Sequence, residues 1–171
     1  MRSGSEYLLL PANRAFIAFS LMLAFLLNIL PWGSWAIVPD FLAIALVFWN
    51  IHQPRKVGFG VAFLVGLLMD VHASSLLGER ALAYSVLCYG AMAMHRRVPW
   101  FGLGGQMLHV LPLFLLAQAV AVGVRMAAGA PFPGFAFFLQ SLTATVMWPL
   151  ADRLLFAPQR AAVDRDDNRP L

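Results

Sequence analysis

Six apolar blocks separated by short polar breaks occupy almost the whole of this 171-residue chain, and they decide what it can become. They cover residues 15–31, 38–51, 57–71, 81–94, about 104–124 and about 134–156. Glycine, proline and basic clusters punctuate them, as in Pro31-Trp32-Gly33-Ser34, Gln53-Pro54-Arg55-Lys56 and His95-Arg96-Arg97-Val98-Pro99. A hydrocarbon core about 30 Å thick takes about 20 helical residues to cross. The blocks lack strand-like alternation, which points to helices and away from an outer-membrane barrel. Composition agrees: 61% of residues are hydrophobic and 12% charged, whereas a soluble domain carries about 25% charge. An ordinary soluble enzyme and a disordered chain are both excluded.

The expected fold is an all-α integral membrane protein, a six-transmembrane-helix bundle over residues 1–157. A head at 1–14 is expected along the interface, and a short disordered cytoplasmic tail at 158–171. The basic residues orient the bundle. Arg2, Arg14, Arg55, Lys56, Arg96, Arg97, Arg153, Arg160, Arg165 and Arg169 fall on one side, ten of the twelve; only Arg80 and Arg125 fall on the other. That bias places both termini in the cytoplasm and requires an even number of spans. It also accounts for the net charge of +4 without a nucleic-acid partner. The first block reads as an uncleaved signal-anchor, because five more spans follow it.

Blocks two to four hold only 14–15 residues each. At 1.5 Å per residue they measure about 21–23 Å, so their polar flanks are expected to enter the membrane. Those flanks are acidic at the outer ends, with Asp40, Asp70 and Glu79 next to Arg80. Ionisable groups at that depth face bundle interiors or water, so an outward-opening depression is expected there.

Catalytic signatures are missing. Gly58-Phe59-Gly60 begins a dinucleotide fingerprint, but Phe63 stands at its last glycine position. His52, His72, His95 and His109 have no metal-ligand spacing, and the single cysteine, Cys88, excludes an internal disulfide. The residues assign no catalytic group, no cofactor site and no metal site.

Three constellations remain as structural or partner-binding candidates. Pro39-Asp40 opens the second helix, with proline suited to its first position and aspartate to the positive end of the dipole. The bland alternative is simple capping. In the third helix Gly58, Ala62 and Gly66 recur every fourth residue, a stripe that lets backbones approach closely in lipid. Asp70 lies one turn further on nearly the same face; pairing with Arg80 is the favoured reading and a ligand contact the alternative. Last, Gly78-Glu79-Arg80 starts the fourth helix, with Ser75 or Gly78 as a cap and Glu79 in the first turn. Gln118 and Arg125 share a face of the fifth helix, and Gln140, Thr143, Thr145, Trp148 and Asp152 make the sixth semi-polar.

These residues resemble a known family. Leu27-Asn28-Ile29-Leu30-Pro31, Pro39-Asp40-Phe41-Leu42, Phe48-Trp49-Asn50, Pro54, Val57-Gly58, Gly66-Leu67-Leu68-Met69-Asp70, Leu77-Gly78 and Ala81-Leu82-Ala83-Tyr84 resemble, in order and spacing, the MreD rod shape-determining family. The match runs over about residues 23–90; the second half agrees in hydropathy, length and topology. The resemblance implies a non-enzymatic scaffold in the bacterial cell inner membrane. Its implied partner is the single-span protein MreC, and through it MreB filaments and the peptidoglycan synthase RodA with its transpeptidase. It also implies a fold similar to the substrate-binding components of energy-coupling-factor vitamin transporters. Such an uptake component is the main rival, but its A-x-x-x-A docking stripe is missing from the first helix, where only Ser20 and Ala24 have that spacing. An intramembrane enzyme using Asp40 or Asp70 would lack paired carboxylates or a nucleophile–base pair.

Overall fold

A computed structural model describes residues 13–32 and 37–160. The expected interfacial head up to residue 12, residues 33–36 and the expected tail from 161 onward lie outside the described residues. Six α-helices follow one another, with no strand among the described residues: α1 (Arg14–Ile29), α2 (Phe41–His52), α3 (Phe59–His72), α4 (Glu79–Met94), α5 (Leu103–Ala127) and α6 (Leu139–Arg160). Short 3₁₀ turns at Val98–Trp100 and Phe135–Phe138 lead into α5 and α6. Each helix falls on its apolar block within a few residues. α6 continues through Pro158 and Gln159, which hydropathy alone assigns to the tail. Gln159 is buried and donates to the Leu155 carbonyl at 3.5 Å, so the last turn still faces the bundle.

By length and hydropathy, α5 is the described helix fit to cross a membrane unaided. α1, α2 and α3 are apolar but have 16, 12 and 14 residues.

The short α2 is the axis of the molecule. Ten of its twelve residues, Leu42 through Ile51, are buried. α1, α4 and α6 pack against it, while α5 joins α4 to α6 and closes a ring; α3 lies outside, on α4. Polar side chains stitch these contacts. Trp49 Nε1 donates to Ser20 Oγ at 2.8 Å between α2 and α1. Asn50 Nδ2 donates to Cys88 Sγ at 2.9 Å between α2 and α4, and Trp148 Nε1 to Gln106 Oε1 at 3.1 Å between α6 and α5. Aromatic contacts of Phe48 with Phe156 and Trp148, at 5.0 and 6.3 Å, join α2 to α6. Interhelical hydrogen bonds in lipid average about 0.6 kcal/mol, so such bonds set register more than they set stability.

The outside is the reverse of a soluble surface. Phe19 and Met22 of α1, Leu64 and Leu68 of α3, Leu108 of α5, and Val146 and Leu154 of α6 each stand 58–70% exposed. Meanwhile Asn50, Asp70, Glu79, Ser85, Ser141 and Asp152 are buried. Apolar side chains outside and polar ones inside suit a lipid solvent.

Candidate functional site

At one end of the bundle α1, α3 and α5 finish while α2, α4 and α6 begin. Asp40, Asp70 and Glu79 all lie there, and we call it the acidic end. Each carboxylate has a different set of partners.

Asp40 is the N-cap of α2: its Oδ1 accepts the Ala43 amide at 2.9 Å. The helix therefore starts at Phe41, and Pro39 precedes the cap; proline does not occupy the first helical position. A side-chain oxygen satisfying a first-turn amide does more for the helix start than proline's fixed φ. The same carboxylate accepts Asn28 Nδ2 from α1 at 2.7 Å and the Tyr84 hydroxyl from α4 at 2.6 Å. Asn28 also accepts the Phe41 amide at 3.0 Å. One aspartate thus ties three helices together.

Asp70 is fully buried at the end of α3. Its oxygens accept the backbone amides of Gly78 (2.8 Å), Arg80 (2.9 Å) and Ala81 (3.3 Å), and the Ser75 hydroxyl at 3.3 Å. The expected Asp70–Arg80 ion pair is thus replaced by a cap. Gly78, the N-cap of α4, sits at φ +100° and has no side chain to bind the first-turn amides, so Asp70 supplies the missing acceptor from the preceding helix. The negative charge also meets the positive end of the α4 dipole. The Arg80 side chain interacts most with Tyr84 and Asp40, and less with Glu79 and Asp70.

Glu79 forms the ion pair. Its carboxylate meets Arg125 of α5 at 2.8 Å (NH2 to Oε1) and 3.2 Å (Nε to Oε2). Glu79 is 4% exposed at its side chain and Arg125 34%, so the pair caps the α4–α5 contact where the bundle opens. Beneath it Gln118 donates to Gln140 at 3.1 Å and accepts from Ser141, joining α5 to α6.

The small-residue stripe divides. A Cβ on Gly66 would sit 2.4 Å from the Ala81 Cα, so there the backbones of α3 and α4 touch. Ala62 is fully buried one turn earlier. Gly58 is the N-cap of α3, and a Cβ there would meet nothing within 4 Å.

Between α2, α4, α5 and α6 the network lines a partly open cavity of about 70 Å³, bordered among others by Asp40, Glu79, Tyr84, Gln118 and Arg125. A wider cleft of about 730 Å³ lies beside it, reaching Asn28, Pro39, His72 and Trp32, with Arg80 and Gln140 on the boundary of both. Among the described residues no group of three His, Cys, Asp or Glu side chains is placed to hold a metal ion.

The sequence candidates Asp40, Asp70, Glu79 and Arg80 converge on this end, while Gly58 lies at the opposite one. Asn28, Tyr84 and Arg125 belong to the network although the residue pattern singles out none of them as a site. Their signal is shared: Asn28 and Tyr84 are polar residues inside an apolar block and Arg125 directly follows one, all near the end where the acids collect.

Comparison with known proteins adds identity to this geometry. Residues 12–157 match the family described as rod shape-determining protein MreD. The rod shape-determining protein MreD of Haemophilus influenzae is 28% identical over 134 residues, covering 75% of this chain and 80% of its own length. No solved structure matches the chain.

Proposed function

The chain belongs to the MreD family of rod shape-determining proteins, a membrane-protein family, and from that premise we propose that it is a non-enzymatic scaffold of cell elongation. In this reading all six helices cross the bacterial inner membrane, both termini are cytoplasmic, and the acidic end faces outward. The transmembrane domain runs to the end of α6 at Arg160, three residues past the limit expected at 157, and the residues beyond it form a short tail. The protein binds MreC and, through it, helps link MreB filaments to RodA and its transpeptidase.

The observation that carries the reading is the family match over residues 12–157. The inverted surface and the concentration of Arg14, Arg55, Lys56, Arg96, Arg97 and Arg153 at the end opposite the acids support the orientation. The short helices fit a local thinning of the bilayer or entry of their polar ends. A scaffold is supported by how the carboxylates are used: Asp40 takes three donors, Asp70 four, and Glu79 a two-point guanidinium contact. A general acid or base needs a lone pair or proton within reach of substrate, and Asp70, with four donors on its two oxygens, has none to spare.

The rival reading, a vitamin-uptake component, calls for a ligand pocket of about 300–1,000 Å³. The polar cavity between α2, α4, α5 and α6 holds about 70 Å³, below that range, whereas the adjoining cleft of about 730 Å³ falls within it, so depletion and not pocket volume separates the two readings. Depletion in a rod-shaped host is the test. Cells should round up while bulk peptidoglycan synthesis continues; rods that persist but require an added vitamin would replace the scaffold with the transporter. Reporter fusions at residues 53–56, 95–99 and after 158 should read cytoplasm, and a fusion at Ser74 the outer side.

A further inference from the structure

We propose that the partly open cavity between α2, α4, α5 and α6 is a water site, holding a cluster of water molecules that bridges the Asp40 network to the Glu79–Arg125 pair.

α2 and α5 each pack on α4 and α6, and the cavity lies between the two. Every helix of the ring turns alanine toward it: Ala43 of α2, Ala83 of α4, Ala117 of α5 and Ala144 of α6. All four are buried. A larger side chain at any of these positions would fill the space, and protein interiors ordinarily leave few voids wider than a water molecule. The cavity of about 70 Å³ has room for at least two waters, each of which takes about 30 Å³ in the liquid.

The polar lining selects the occupant. The carboxylates of Asp40 and Glu79 stand against the guanidinium groups of Arg80 and Arg125, so the described lining carries no net charge. Residues 33–36, which connect α1 to α2 at this end, are uncharged as well. A neutral hydrogen-bonding occupant keeps that balance, whereas an ion of either sign would stand uncompensated.

Protein partners also leave bonding capacity over. Gln140 accepts from Gln118 through Oε1, and its amide nitrogen has no acceptor among the described residues. Arg125 meets Glu79 through Nε and one terminal nitrogen, which leaves its other terminal nitrogen over. The Tyr84 hydroxyl donates to Asp40 and keeps its lone pairs. A buried water needs about two to four polar partners, and donors and acceptors are both present. Water accepts from the nitrogens and donates to the oxygens, so one kind of molecule completes both. Arg80 and Gln140 border this cavity and the wider cleft beside it, and the waters exchange with solvent by that route. Such bridges are nearly as favourable as direct hydrogen bonds, and they tie α5 and α6 to α2 across the centre of the ring.

The test is X-ray hydroxyl-radical footprinting of the purified full chain in detergent, read by mass spectrometry. Radicals formed from bound water oxidise the side chains beside it. Tyr84 and Phe114 line the cavity and are each 3% exposed. Both should be oxidised. Leu113, 4% exposed, and the fully buried Phe48 line no part of the cavity and should stay unmodified. Ala117→Leu and Ala144→Leu, which fill the space, should each abolish oxidation of Tyr84, while the exposed Tyr89 is oxidised as in wild type. If a filling variant fails to fold, the wild-type contrast between Phe114 and Leu113 decides alone. Unmodified Tyr84 and Phe114 in wild type would mean a dry cavity. Equal oxidation of Phe48 and Leu113 would mean general entry of solvent, and Tyr84 oxidation that persists in a folded filling variant would put the water elsewhere. Each of these results overturns the proposal. The readout depends neither on the scaffold function nor on which end faces the cytoplasm.

Discussion

Asp70 and Arg80 meet through the backbone: the Arg80 amide donates to Asp70 Oδ1 at 2.9 Å, and the guanidinium is not the partner. The two residues sit on consecutive helices joined by a tight turn, a place where a salt bridge is the natural expectation. The turn instead presents the uncapped amides of α4 to the carboxylate.

Asp70→Asn should therefore destabilise the protein strongly, while Arg80→Gln leaves the capping bonds in place. The asparagine amide turns a donor toward Gly78 and Ala81, leaving buried amides unpaired at a cost of about 1–3 kcal/mol. The double variant should equal the sum of the singles within about 0.5 kcal/mol, because the side chains are not partners. Thermal denaturation in detergent measures all three. Rescue of Asp70→Asn by Arg80→Gln would restore the ion-pair account.

Glu79 and Arg125 should behave in the opposite way. Removing either leaves a partly buried charge behind, and removing both does not. Glu79→Gln and Arg125→Gln should each lower the melting temperature, and the double variant should recover part of the loss. A coupling energy of about 0.5–3 kcal/mol is expected for a pair in direct contact. Additive losses would place the pair outside the stabilising network.

Gly66→Ala should disrupt the α3–α4 contact, because its new methyl would lie 2.4 Å from backbone atoms that cannot rotate away. Overpacking of this kind costs about 1–3 kcal/mol or more. Gly60→Ala, on the same helix but with open space around it, should be neutral or stabilising, by up to about 1 kcal/mol from helix propensity. Equal yields and melting temperatures for the two variants would contradict the contact.

Tyr84→Phe deletes the hydroxyl that donates to Asp40 at 2.6 Å and leaves the ring in place. A hydrogen bond to a charged acceptor contributes about 1.5–3 kcal/mol, so stability should fall by that order. Asn28→Ala removes the α1 contact to the same carboxylate. The two losses should be non-additive, since both residues act through Asp40. Independent, fully additive effects would show that Asp40 does not couple α1 to α4.

The sequence by itself determined the number of helices, their approximate limits and the family. These follow from apolar block length, the punctuating Gly, Pro and Arg residues, and short ordered motifs, all of which are local. It also marked Gly66, whose spacing from Ala62 and Asp70 lies on one helix face. Tertiary structure alone decided that α2 is the central helix, and it chose the partner of each charge. Hydropathy cannot distinguish a helix surrounded by protein from one surrounded by lipid, because acyl chains are as apolar as leucine. Partner choice depends on which helix ends become neighbours and at what height. Asp40 and Tyr84 are 44 residues apart, and Glu79 and Arg125 are 46. No local period in the chain encodes either distance. The packing of α4 against α2 and α5 brings those groups within hydrogen-bonding reach.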